Sequence, residues 1–231
     1  MIPPARVGSV SRLIAFDLDG TLVDSRRDLA DSANQLIEEM GGAALPEEGI
    51  GRMVGEGASL LVRRALTAAG LSFTEPLLVR FLEIYDGRML NFTRPYDGIV
   101  DAVTLAREHA RVVVLTNKPL APSLRILEAL ELRHLFADVV GGDNPLGRKP
   151  EPKALQAMMT AAGVSAGQTM LVGDSKVDLD TARRAGVRCC LVSFGFGFES
   201  VDKAPIEGET IVTDVATLVT EIEAFVRGGR L

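Results

Sequence analysis

The chain contains no tryptophan, and aromatic residues make up only 5% of its 231 positions. So few rings cannot furnish a base-stacking platform, and they read as core. Basic residues are in the minority, 25 against 31 acidic ones, and the net charge of -6 has the wrong sign for holding a nucleic-acid backbone. No stretch approaches the roughly 20 consecutive apolar residues that cross a bilayer. The amino terminus lacks the basic-then-apolar layout of a secretory signal, so a cytoplasmic protein is expected. Cysteine is scarce too. Cys189 and Cys190 are adjacent, which excludes a disulfide framework, and in a reducing compartment both act as small hydrophobes. His109 and His134 lie far apart in ordinary helical text and read as helix-surface or helix-end residues.

What the chain does have is 47% apolar and 24% charged residues, which suits one large globular domain or one domain with an insertion. Short apolar runs bounded by turn residues occur at 13–16, 112–115, 139–140, 170–172, 189–192 and 211–212. Each reads as a strand buried on both faces. Helical patterns fall near 98–110, 120–132, 151–162, 177–186 and 214–227. The alternation predicts an α/β fold, a doubly wound, Rossmann-like and mostly parallel sheet.

The interval 24–93 breaks this rhythm. Leu29, Ala33, Leu36, Ile37 and Met40 form one helically spaced stripe, and Leu77, Phe81, Tyr85 and Met89 form another. We therefore expect an inserted helical cap over 24–93, with residues 1–23 and 94–231 forming the catalytic core and 1–11 a loose leader.

The run Leu13-Ile-Ala-Phe-Asp17-Leu-Asp19-Gly20-Thr21 is an apolar strand ending in two carboxylates. Side chains at i and i+2 of an extended chain share a side, so Asp17 and Asp19 can face one pocket at the carboxyl edge of the sheet, where α/β folds hold ligands. Gly20 lets the backbone turn and a ligand approach. A plain turn is the competing reading of this pair. A second acidic group, Gly173-Asp174-Ser175 with Asp178, follows another short strand; a helix cap would account for it equally well. Two further strand ends carry Thr116-Asn117 and Lys149-Pro150. Carboxylates converging on one pocket repel one another unless a cation sits among them. Oxygen ligands favour Mg²⁺, and a metal, a lysine and short neutral donors around a carboxylate suit phosphoryl transfer.

In their order and spacing these four segments resemble the motifs of the haloacid dehalogenase-like superfamily. The likeness runs through nearly the whole chain. It implies a two-step reaction in which Asp17 takes the phosphoryl group while Asp19 protonates the departing alcohol and later accepts a proton from water. It implies that Asp17 and Asp174 bind Mg²⁺ through their side chains and Asp19 through its backbone carbonyl, with Asp178 orienting Lys149 or metal-bound water. Thr116, Asn117 and Gly20 are then on the phosphoryl side, and Lys149 steadies nucleophile and phosphoryl group. The dehalogenases themselves lack the second aspartate of the first motif, so Asp19 argues for phosphate chemistry.

The stretches Asp24-Ser25, Asp28-Leu29, Val54-Gly55-Glu56-Gly57 and Arg64-Ala65-Leu66 are similar to those of bacterial phosphoglycolate phosphatases with a helical cap. That resemblance implies a small phosphorylated metabolite as substrate, 2-phosphoglycolate first, for a monomer or homodimer that needs neither nucleic acid nor membrane. Phosphosugar phosphatases or mutases and pyrophosphatases of the superfamily are the alternatives, with a non-catalytic receiver domain behind them. The mutases usually carry a histidine soon after the first motif, and this chain has none before His109. Gly55 and Gly57 read either as a helix-to-helix turn or as a loop lowered onto the site. Arg64 reads either as an exposed helix arginine or as the fork that receives a substrate carboxylate. The Gly142 to Lys149 stretch has its lysine one place late for a P-loop, and Gly195-Phe-Gly197 fits a strand-end loop near the pocket better than a dinucleotide fingerprint.

Overall fold

A computed structural model describes residues 12–201 and 208–228; the expected leader at 1–11 lies outside them. Six strands form one parallel sheet: Leu13–Phe16 (β1), Arg111–Leu115 (β4), Asp138–Val140 (β5), Thr169–Gly173 (β6), Arg188–Val192 (β7) and Glu209–Val212 (β8), in the order β5-β4-β1-β6-β7-β8. This is the doubly wound α/β sheet expected from the apolar runs.

The strand period of two sorts the side chains. Ile14 and Phe16 of β1 join one buried cluster with Val112, Val114, Met170 and Val172, whereas Leu13 and Ala15 join a second with Val113, Leu115 and Leu171. Ile99–His109 (α5), Leu120–Ala129 (α6) and Val215–Val226 (α9) cover the first face. Lys153–Ala162 (α7) and Lys176–Ala185 (α8) cover the second. Cys190 and Cys189 point to opposite faces for the same reason, and burial pushes both thiols up.

Register places the site. Phe16 lies beside Val114 on one side and Val172 on the other, so β1, β4 and β6 end together. The Asp17 N–H donates to the Val172 carbonyl at 2.9 Å, and that of Thr116 to the Val140 carbonyl at 3.0 Å. Three of the sequence motifs thus emerge along one edge.

Between β1 and β4 the chain leaves the sheet through Val23–Asp24 (β2) and returns through Arg94–Pro95 (β3), which pair antiparallel. The excursion holds four helices, Arg26–Glu39 (α1), Glu47–Gly51 (α2), Ala58–Ala68 (α3) and Glu75–Asp86 (α4). Leu29, Ala33, Leu36 and Ile37 are buried as the first stripe requires, and Phe81, Tyr85 and Met89 as the second does. Met40 departs from its stripe: α1 stops at Glu39 and Met40 is 47% exposed. Asp28, fully buried near the start of α1, accepts from the Phe92 N–H at 3.0 Å and from the Thr93 N–H and hydroxyl at 2.8 Å each. It ties the way out to the way back. The expected helix over 120–132 ends earlier, because Glu131 takes a positive φ of 58° and the Leu132 N–H reaches back to the Leu127 carbonyl. Among the described residues no helix is long and apolar enough to cross a membrane.

Candidate active site

At the carboxyl edge of the sheet Asp17 is 5% exposed. Its Oδ1 accepts the Leu18 N–H at 2.7 Å and lies 2.9 Å from Lys149 Nζ. Asp174, just past β6, is equally buried and takes the Gly197 N–H on Oδ2 at 2.7 Å. Gly20, at φ 85°, has no room for a side chain, since a Cβ there would overlap the Asp174 carboxylate. The loop after β7 closes in from the other side, where a Cβ on Gly195 would overlap both Asp174 and the Gly20 carbonyl.

Asp178 is fully buried and uses both oxygens. Oδ1 accepts Lys149 Nζ at 2.6 Å, while Oδ2 accepts the Ser175 N–H at 3.1 Å and hydroxyl at 2.6 Å. Helix cap and site residue are therefore one arrangement: the α8 capping box fixes the carboxylate that holds Lys149. Asp17, Asp174 and Asp178 each offer a carboxylate oxygen within 4.8 Å of the others.

Charge arithmetic follows from that cluster. Three carboxylates share the single ammonium of Lys149, which leaves a formal deficit of two positive charges in a buried space. Burial pushes the Asp17 carboxyl up to about 6 against the pull of Lys149, and Asp178 pushes it the same way. Burial, then Asp178 and Asp17, hold Asp174 well above the usual carboxylate range. Repulsion of this kind is relieved by a cation, and an all-oxygen donor set suits a hard divalent one.

Thr116 Oγ1 accepts the Lys118 N–H at 3.2 Å, which leaves its own proton free to donate. Asn117 departs from expectation. Its Nδ2 donates to the Gly55 and Lys149 carbonyls, both at 2.9 Å, and the amide atom without a partner is Oδ1, an acceptor. The Asn117 side chain thus ties the 55–57 loop to the Lys149 loop and has no amide hydrogen left for a phosphoryl oxygen. Arg64 is not brought to the site. It pairs with Glu56 and donates to the Met53 carbonyl at 3.3 Å, outside the pocket lining.

Sequence reasoning passed over Lys118. Its Nζ lies 2.9 and 3.1 Å from the two oxygens of Asp19, the pair being 6% and 11% exposed. Ser25 also donates to Asp19 Oδ1, at 2.6 Å. The position directly after Thr116-Asn117 at a strand end was the available signal. Beyond Asp17 and Asp19 opens a cavity of about 60 Å³, roofed by Leu29 of α1, Leu61 of α3 and Phe81 and Tyr85 of α4. Gly55 and Gly57 line it too, so the loop between α2 and α3 lies on the site.

Comparison with known proteins agrees with this geometry. The family model for haloacid dehalogenase-like hydrolases matches residues 14–192. A phosphoglycolate phosphatase of Rhodospirillum rubrum is 40% identical over 216 residues, 90% of this chain and 89% of its own. One from Mesorhizobium japonicum is 34% identical over 215 residues, covering 91% and 94%. Among solved structures, a predicted phosphoglycolate phosphatase from Haemophilus somnus superposes with a TM-score of 0.81 at 28% identity, over 92% of this chain and 98% of that one.

Proposed function

The chain belongs to the haloacid dehalogenase-like hydrolases and is a phosphatase of that family, and from that premise we propose that it hydrolyses 2-phosphoglycolate through a phosphorylated Asp17, with Mg²⁺ as its metal. The observation that carries this reading is the buried cluster of Asp17, Asp174 and Asp178 around one lysine, two positive charges short of balance. The side chains of Asp17 and Asp174, with the Asp19 carbonyl, are the groups to hold the ion. Mg²⁺ supplies charge neutralisation for the phosphoryl oxygens and for the carboxylates beneath them.

The Asp17 carboxylate attacks phosphorus, forming an O–P bond as the ester P–O bond breaks, and Asp19 gives its proton to the departing oxygen. Water then attacks phosphorus, Asp19 takes its proton, and the bond to Asp17 breaks to release inorganic phosphate. Lys149, fixed by Asp178, holds the nucleophile in place and opposes the charge that gathers on the phosphoryl oxygens. Thr116 donates its hydroxyl proton to one of those oxygens, and Asn117, its amide spent, contributes through its main chain. Residues 24–93 act as a cap on the core of 1–23 and 94–231, and their apolar roof keeps bulk water from the intermediate. The lack of a histidine soon after the first motif favours hydrolysis over transfer to a second sugar oxygen.

The test is phosphate release from 2-phosphoglycolate by the full chain, measured with Mg²⁺ and with EDTA. Release with Mg²⁺ alone is expected, and Asp17→Asn should lower it by at least about 10³-fold with an unchanged circular dichroism spectrum. Turnover that survives either EDTA or Asp17→Asn contradicts the reading.

A further inference from the structure

Lys118 lines the same pocket as Asp17, Asp19 and Thr116, but its ammonium pairs with Asp19, whereas that of Lys149 pairs with Asp17. Lys118 Nζ stands 4.6 Å from the centre of the Tyr85 ring, which is stacked on Phe81 at 6.0 Å. An ammonium has three donors, and the two Asp19 oxygens engage at most two. One of those oxygens is also shared with Ser25. A second donor waits nearby. Tyr85 is 4% exposed and lines the cavity; its hydroxyl has no partner at full hydrogen-bond distance among the described residues, and Lys118 is the group that interacts with it. A buried hydroxyl without a full partner is unfavourable, so its retention asks for a ligand.

Otherwise the roof is apolar, with Leu29, Leu61 and Phe81 facing the same space. One ammonium and one phenol hydroxyl converging in such a pocket match a two-oxygen anion. Resting on the reading that Asp19 protonates the departing oxygen, we propose that Lys118 and Tyr85 bind a carboxylate on the leaving group, one carbon away from the ester-bearing oxygen's own carbon. The spacing follows from the ion pair: Lys118 is in contact with Asp19, so a group on Lys118 and an oxygen facing Asp19 must belong to the same short fragment. Arg64, which the sequence leaves open between an exposed helix arginine and a carboxylate fork, is committed to Glu56.

Steady-state kinetics with Mg²⁺ on 2-phosphoglycolate and on ethyl phosphate, which carries a methyl where the former carries a carboxylate, tests this. Wild-type kcat/KM should favour 2-phosphoglycolate by about 100-fold or more. Tyr85→Phe removes one oxygen and keeps the ring stacked on Phe81, so it leaves folding intact. Tyr85→Phe and Lys118→Met should each cut the preference at least tenfold, chiefly through KM for 2-phosphoglycolate. If Lys118 merely props Asp19, kcat falls for both esters alike and the preference stays, which overturns the inference. A wild-type enzyme that hydrolyses phosphate esters without favouring the carboxylate overturns it too, and leaves the phosphatase standing. Release from no phosphate ester at all removes the phosphatase reading, and the inference with it.

Discussion

Gly195 presses on Asp174 where no side chain fits, and the consequence can be measured. Gly195→Ala should displace the Asp174 carboxylate and weaken Mg²⁺ affinity about 10–100-fold, the range for disturbing a group that supports a metal ligand, while the fold persists. Equilibrium titration of Mg²⁺ checks this, and unchanged affinity counts against it. Gly195 illustrates what was legible and what was not. Asp17 and Asp174 could be read because each follows a short apolar strand directly, and Asp19 and Asp178 because they lie two and four residues further on, where local geometry returns them to the same side. Gly195 looked like part of a strand-end loop, and its contact with Asp174 depends on how β6 and β7 lie side by side. Lys118 stayed hidden for a similar reason, since its partner Asp19 is 99 residues away. Asn117 was identified but misjudged: the chain shows its donors, not the Gly55 and Lys149 carbonyls that consume them.

At the scale of elements, Asp28 bears on how the helical segment is attached. Its carboxylate closes α1 onto the returning chain at Phe92 and Thr93, and Arg27 lies 3.5 Å over the Phe92 ring beside it. Asp28→Ala leaves those two N–H groups without an acceptor, so we expect a loss of about 3 kcal/mol in urea denaturation. Faster amide exchange at Phe92 and Thr93 should accompany it; unaltered exchange there refutes the role of Asp28 as that tie. The long strands and helices were legible from their periods, because burial on two faces or one writes itself into the residue pattern. The β2–β3 ribbon was not. Two strands of two residues each are too short to carry a period, and their pairing joins segments separated by the whole helical excursion. Helix ends were misplaced for local reasons, as where Glu131 leaves α6 through a positive φ without a glycine to announce it.

For the molecule as a whole, parallel strands in the order β5-β4-β1-β6-β7-β8 put β1 between β4 and β6, and so bring acidic groups from positions 17 and 174 together. The apolar interior drives that assembly and the cluster is carried along by it, stabilised only in part by Lys149. A divalent cation binding the folded state alone adds stability by mass action, so Mg²⁺ well above its dissociation constant should raise the melting temperature. The most direct test of this account is calorimetric titration of Mg²⁺ into the metal-free full chain, alongside Asp174→Asn. We predict one site per chain in the wild type, with affinity falling by at least about tenfold in the variant. Equal binding by both proteins, or none by the wild type, would contradict it.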